Sequence, residues 1–166
     1  MGKNRGFTLI ELMVTIAILA IIATLAAPSF GSFVTEQKLT SSVREIVLSI
    51  DLAKSQASLR KSSVALCLNK TNTDDDFDAN ECAIAAAIPG YSSLSAADQL
   101  EIQKTRVVLA QLDPEVNVSS TSATNVLIND VGGANTTETF NLCASGKQRT
   151  VTVTRLGITT QTSGTC

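Results

Sequence analysis

Residues 5–30 read RGFTLIELMVTIAILAIIATLAAPSF. After Glu11 the next charge is Glu36, and between Leu12 and Ala27 only Thr15 and Thr24 are polar. From Phe7 to Phe30 the run, taken as a helix at ~1.5 Å per residue, is about 36 Å long. That is enough for a ~30 Å hydrocarbon layer. The basic leader Met1–Gly6 carries Lys3 and Arg5, which by the positive-inside rule keep the N-terminus cytoplasmic. A secretory signal is the alternative, with AAPSF (26–30) as the nearest approach to a small-residue cleavage site. A carboxylate at position 11 is costly in lipid and is a functional feature until a partner is named.

The totals narrow the rest. The chain has 166 residues, expected to form one domain plus an appendage. Apolar residues make up 44%, many of them in the N-terminal run. The remainder is rich in Thr, Ser, Asn and Ala, which suits an exposed, mostly β domain. Net charge is −2, so no basic field supports nucleic-acid binding. With no His, a His-based triad or metal site is excluded. No glycine-rich phosphate loop or nucleophile motif stands out, and the chain is expected not to be an enzyme and to carry no cofactor. Cys67, Cys82, Cys143 and Cys166 are an even set without CxxC spacing. They are expected to form two disulfides in an oxidising compartment. Of three pairings, Cys67–Cys82 and Cys143–Cys166 are favoured because each closes a short local loop.

The hexapeptide Gly6-Phe7-Thr8-Leu9-Ile10-Glu11 resembles the prepilin motif of type IV pilins and type II secretion pseudopilins. The resemblance implies peptidase cleavage between Gly6 and Phe7, N-methylation of Phe7, and Glu11 as the fifth mature residue. It further implies that Glu11 neutralises the Phe7 amine of a neighbouring subunit during assembly. A carboxylate snorkelling to the membrane surface is the alternative reading of Glu11. Pro28 lies where pilins often carry a proline, and is expected to kink or locally melt the helix.

Beyond Pro28 the residues Leu39, Val43, Ile46, Ile50, Ala53 and Ala57 recur at spacings of three and four, one apolar face of a helix. The helix is expected to run from about Phe7 to Arg60, with Ala53 and Ala57 as a small-residue seam against a sheet. A coiled coil is the alternative for its second half. Strands are predicted over 62–69 (SSVALCLN, read as alternating), 106–112, 115–119, 125–129, 138–143 and 149–157. A short helix is predicted over 94–104 with Ser95 as N-cap. Turns are predicted over 129–135 and 144–147. The stretch TNTDDDFDANE (71–81) is read as an acidic loop. Asp74, Asp76, Asp78 and Asn80 have the spacing of a calcium loop, but Ala79 and Ala85 stand where its glycine and glutamate belong.

The fold class expected is α+β: a long kinked N-terminal helix packed on a C-terminal antiparallel β-sheet head. The expected division is leader 1–6, transmembrane and assembly helix 7–30, amphipathic helix 31–61 and β-rich head 62–166. Leu52-Ala53-Lys54-Ser55-Gln56-Ala57-Ser58-Leu59-Arg60-Lys61 and the ending LCASGKQRTVTVTRLGITT are similar to GspH/FimT-type minor pilins. That resemblance implies a minor type IV pilin of the pilus tip or priming complex. Its partners would be the prepilin peptidase, other minor pilins, the major pilin and, before assembly, the inner membrane; the head would be periplasmic and later extracellular in the fibre. A type II secretion pseudopilin is one alternative. A DNA-binding pilin for transformation is the other, but the arginines of that branch are absent from Gly157-Ile158-Thr159-Thr160, leaving only Lys147, Arg149 and Arg155 nearby.

Overall fold

A computed structural model describes residues 7–73 and 75–166, without the side chains of residues 25–29. It divides into two units, Met1–Val34 and Thr35–Cys166. The architecture is α+β, with a long N-terminal helix followed by sheets. Helix α1 is Leu9–Arg60 and is continuous through position 28. It stops where Lys61 turns left-handed (φ 51°) and Ser62 N–H reaches back to the Ala57 carbonyl, a helix-ending motif that satisfies an orphan acceptor.

In the second unit the predicted apolar face of α1 is buried in full: Leu39, Ile46, Ile50, Ala53 and Ala57 have no exposure and Val43 is 4% exposed. It shares one core with residues of both sheets, so it lies on sheets and is not half of a coiled coil. The first sheet has strand order β2-β1-β4, where β1 is Val64–Leu68, β2 Val107–Ala110 and β4 Asn125–Ile128. The second has order β3-β5-β6-β7, where β3 is Asn117–Val118, β5 Glu138–Ala144, β6 Lys147–Val153 and β7 Thr159–Thr165.

The first sheet departs from expectation. Every residue of β1 is buried, whereas the sequence reading has alternation. The reason is a second layer. Helices α2 (Ala79–Ala85) and α3 (Ala96–Arg106) are inserted between β1 and β2 and cover the face away from α1. Val64, Leu66 and Leu68 face the main core, while Ala65 and Cys67 join Cys82, Ala83, Ile88 and Tyr91 in a smaller one. A strand covered on both faces reads as a continuous apolar run. The same insertion lets β1 and β2 pair in parallel, because parallel neighbours need a crossover connection. The other pairings are antiparallel.

The second sheet has one apolar face. Phe140, Leu142, Val151 and Val153 have no exposure and enter the main core. Thr139, Asn141, Thr150 and Thr152 occupy the alternate positions, linked as Thr139–Thr152 and Asn141–Thr150 in register. Between β5 and β6, Ser145 (φ 50°) and Gly146 (φ 74°) are both left-handed, as a two-residue hairpin turn matched to strand twist requires.

Candidate assembly site

The first unit has no core of its own among the described residues. From Phe7 to Ile22 every large apolar side chain is at least half exposed. The polar groups in this stretch are turned inward on the helix: Thr15 Oγ1 donates to the Leu12 carbonyl and Thr24 Oγ1 to the Ile21 carbonyl, each at 2.8 Å. A hydroxyl satisfied by its own helix is tolerated in apolar surroundings. Thr8 begins the helix, its Oγ1 accepting from the Glu11 amide at 3.3 Å, as an N-cap does. Glu11 lies in the first turn, where the helix dipole favours an anion. Among the described residues its carboxylate has no ion-pair partner. Gly6 lies outside the described residues, as does the side chain of Pro28. Among the described residues no helix is long and apolar enough to cross a membrane. The predicted span includes residues 25–29, whose side chains are not described.

The second unit fastens its end of α1 by charge as well as by apolar contact. Glu36 meets Lys147 at 2.5 Å and Arg149 at 3.5 Å, both on β6. The Lys147 hydrogen bond, and then its charge, hold the Glu36 carboxyl below the usual carboxylate range. Two residues on, Lys38 meets Glu115 at 2.7 Å and Asp113 at 3.7 Å. The hydrogen bond to Glu115 raises the Lys38 pKa above the ordinary lysine value. The turn Asp113-Pro114-Glu115 is also held from below. Buried Lys70 donates to the carbonyls of Asp113 and Pro114 at 3.2 and 3.1 Å, and Asp113 N–H donates to buried Ser42 Oγ. The sequence singled out Lys147 and Arg149 only as basic residues near Gly157, and none of these contacts was legible in it. Their partners are 43–113 positions away, and no local pattern announces such contacts.

Two disulfides are present. Cys67–Cys82 ties β1 to α2 and Cys143–Cys166 ties β5 to the residue after β7, with Cα separations of 5.8 and 6.1 Å. Part of the acidic loop is helix. Asp78 caps α2 by accepting from Glu81 N–H at 2.8 Å, and Glu81 returns the bond to Asp78 N–H at 2.9 Å, a reciprocal capping box. Asn80 Oδ1 accepts from buried Tyr91 at 2.7 Å. Two of the four positions with calcium-loop spacing are thus engaged in fold contacts, and Asp74 lies outside the described residues. Among the described residues no group of three acidic or sulfur side chains could hold a metal.

Residues 1–27 match the prokaryotic N-terminal methylation motif. Residues 42–157, more than half of the chain, match the model for type II transport protein GspH. The chain belongs to the GspH family. The matched stretch runs from the apolar face of α1 to Gly157, the residue before the final strand approach. Among related proteins, a probable minor fimbrial protein of Dichelobacter nodosus is 33% identical over 99 residues, 60% of this chain and 54% of that protein. The chain therefore spans about half the length of that relative. Fimbrial protein Q of Moraxella bovis is 41% identical over 46 residues, 28% of this chain and 29% of that one. The type IV major pilin protein PilA of Myxococcus xanthus is 53% identical over 36 residues, 22% of this chain and 16% of that one. No solved structure matches the chain.

Proposed function

We propose that this GspH-family protein is a minor type IV pilin, a structural subunit of the pilus tip or priming complex. The observation that carries the reading is the coexistence of an exposed apolar helix with one carboxylate in its first turn and a separate, well-packed head. An apolar helical stretch whose described side chains from Phe7 to Ile22 are exposed needs either lipid or other helices around it. In this reading the peptidase cuts between Gly6 and Phe7, and Phe7 is N-methylated. The chain first sits in the inner membrane with its N-terminus cytoplasmic and its head periplasmic, then enters the fibre. Glu11, which has no ion-pair partner among the described residues, pairs with the Phe7 amine of a neighbouring subunit, and Pro28 is the kink position of the helix. The expected neighbours are other minor pilins and the major pilin.

One point weighs against DNA binding. Lys147 and Arg149, which a DNA-binding reading needs, are already neutralised in part by Glu36. The secretion pseudopilin shares the helix and family model, so localisation decides it. Mass spectrometry of sheared fibres beside the membrane fraction is the test. A chain beginning at N-methyl-Phe7 in the fibres supports the minor pilin. Confinement to the membrane fraction transfers the assignment to secretion, and a chain retaining Met1–Gly6 in both defeats the processing step. Glu11→Ala is expected to reduce incorporation into fibres while membrane insertion and head stability stay unchanged; normal incorporation would refute the charge pairing.

A further inference from the structure

We propose that the free edge of β7 is a docking site for an extended segment of another subunit, and that Arg44 beside it receives a carboxylate from that segment. The proposal rests on the chain acting as a subunit of a larger assembly. Strand β7 ends the order β3-β5-β6-β7. It pairs with β6 through seven consecutive residues, Thr159↔Val153 to Thr165↔Lys147, with no bulge. Its sequence is TTQTSGT, and every residue after Thr159 is exposed. A row of unpaired amides and carbonyls is a template for another strand, and proteins ordinarily blunt it with lysine, proline, a bulge or a cover. Here none of the four is present among the described residues. The other edges are shorter: β2 and β4 have four residues each and β3 has two.

A strand that buries so little would ordinarily fray, yet both ends of β7 are secured. Cys166 is bonded to Cys143 on β5, and its N–H donates to the Gly146 carbonyl at 3.1 Å. At the other end Gly157 (φ +77°) lies so close to the Gly132 carbonyl that an added Cβ would sit 2.2 Å from the oxygen. The result is a pre-ordered edge, which lowers the ordering cost of strand addition.

The second observation lies alongside. A cleft of about 230 Å³ is lined by Thr40, Val43 and Arg44 of α1, Arg149 of β6 and Gln161 of β7. Arg44 is exposed and has no ion pair among the described residues. Arg149 shares Glu36 with the closer Lys147. Positive charge therefore exceeds negative where the side chains of an added strand would point toward α1, and a carboxylate there is complementary. The occupant is an extended protein segment, largely uncharged, with one acidic residue on its helix-facing side.

Hydrogen–deuterium exchange of the full chain tests this, comparing the detergent-solubilised subunit with the subunit in sheared fibres and in the cell envelope. About every second β7 amide should exchange freely when solubilised and slow by at least ~10-fold when assembled. Thr162→Lys adds a blocking charge at an exposed position and Thr162→Ala does not. Both should keep the wild-type melting temperature, and only the lysine variant should lose assembled subunit, by roughly 10-fold or more. Unchanged β7 exchange on assembly, or normal assembly of Thr162→Lys, overturns the proposal. Loss of assembly in Arg44→Glu with β7 exchange unchanged also overturns it, in favour of an anion such as nucleic acid in the cleft. Protection of β7 in the envelope without the chain in fibres would sustain strand docking while refuting the pilus assignment. A chain present in fibres with β7 unprotected would do the reverse.

Discussion

Ile46 and Leu48 are two residues apart on α1 and are expected to respond very differently to alanine. Ile46 has no exposure and Leu48 is 65% exposed. Ile46→Ala removes three buried carbons, worth ~2.4 kcal/mol at ~0.8 kcal/mol per carbon, and a residual cavity adds to that, for about 2.5–4 kcal/mol in all. Leu48→Ala removes a side chain already in water and keeps a good helix former, so its effect should stay within ~0.5 kcal/mol. Urea unfolding of residues 31–166, with both disulfides formed, is the assay. With m near ~2 kcal/mol/M, the Ile46 variant should lose about 1–2 M in midpoint and the Leu48 variant almost nothing. Equal losses, or a larger loss at Leu48, would mean that α1 presents a different face to the sheets.

Three further outcomes follow from the head. Replacing Cys67 and Cys82 together should lower global stability by about 2–4 kcal/mol, whereas replacing Cys143 and Cys166 should mainly speed amide exchange in β7, because that strand contributes little to the core. The Glu36 pKa is lowered in the fold, so its contribution is present above the ordinary carboxylate range and is lost as pH falls from that range through the lowered folded pKa. Glu36→Gln should therefore lower stability slightly at neutral pH and converge with the wild type at acid pH, which flattens the acid side of a stability–pH profile. Gly157→Ala should destabilise by about 1–3 kcal/mol, because its left-handed φ and the 2.2 Å approach to the Gly132 carbonyl both act against a Cβ; an unchanged melting temperature would show that the two loops separate freely.

Where a local rule governs, the sequence reading and the structure agree. The three-and-four spacing named all six buried apolar residues of α1 among the described residues; Ser42 and Ser49 are buried beside them. Ser95 caps α3, accepting from Asp98 N–H, and the strand predicted over 149–157 overlaps β6. The departures have a common cause, since each depends on a neighbour distant in sequence. Nothing in VALCL shows that a second layer covers β1, so its sequence suggests a half-buried strand where all five residues are buried. That layer includes α2, whose start is marked by Asp78-x-x-Glu81 but is masked in the sequence by an acidic run that suggests solvent or a cation. β7 has no apolar alternation to detect; β6 and a disulfide define it. The Glu36, Lys38 and Lys70 contacts to β6 and to the 113–115 turn carry no spacing signal at all.

The opposed ion pairs at the start of the head have a mechanical consequence. Glu36 reaches β6 and Lys38 reaches the 113–115 turn, and from Leu39 to Ala57 the same helix is held by continuous apolar contact. A pull along α1 would load this whole length in shear, with the contacts strained together and not opened one after another. The joint should thus resist tension along the helix far better than a force that peels it sideways from residue 36, where the ion pairs alone would bear the first load.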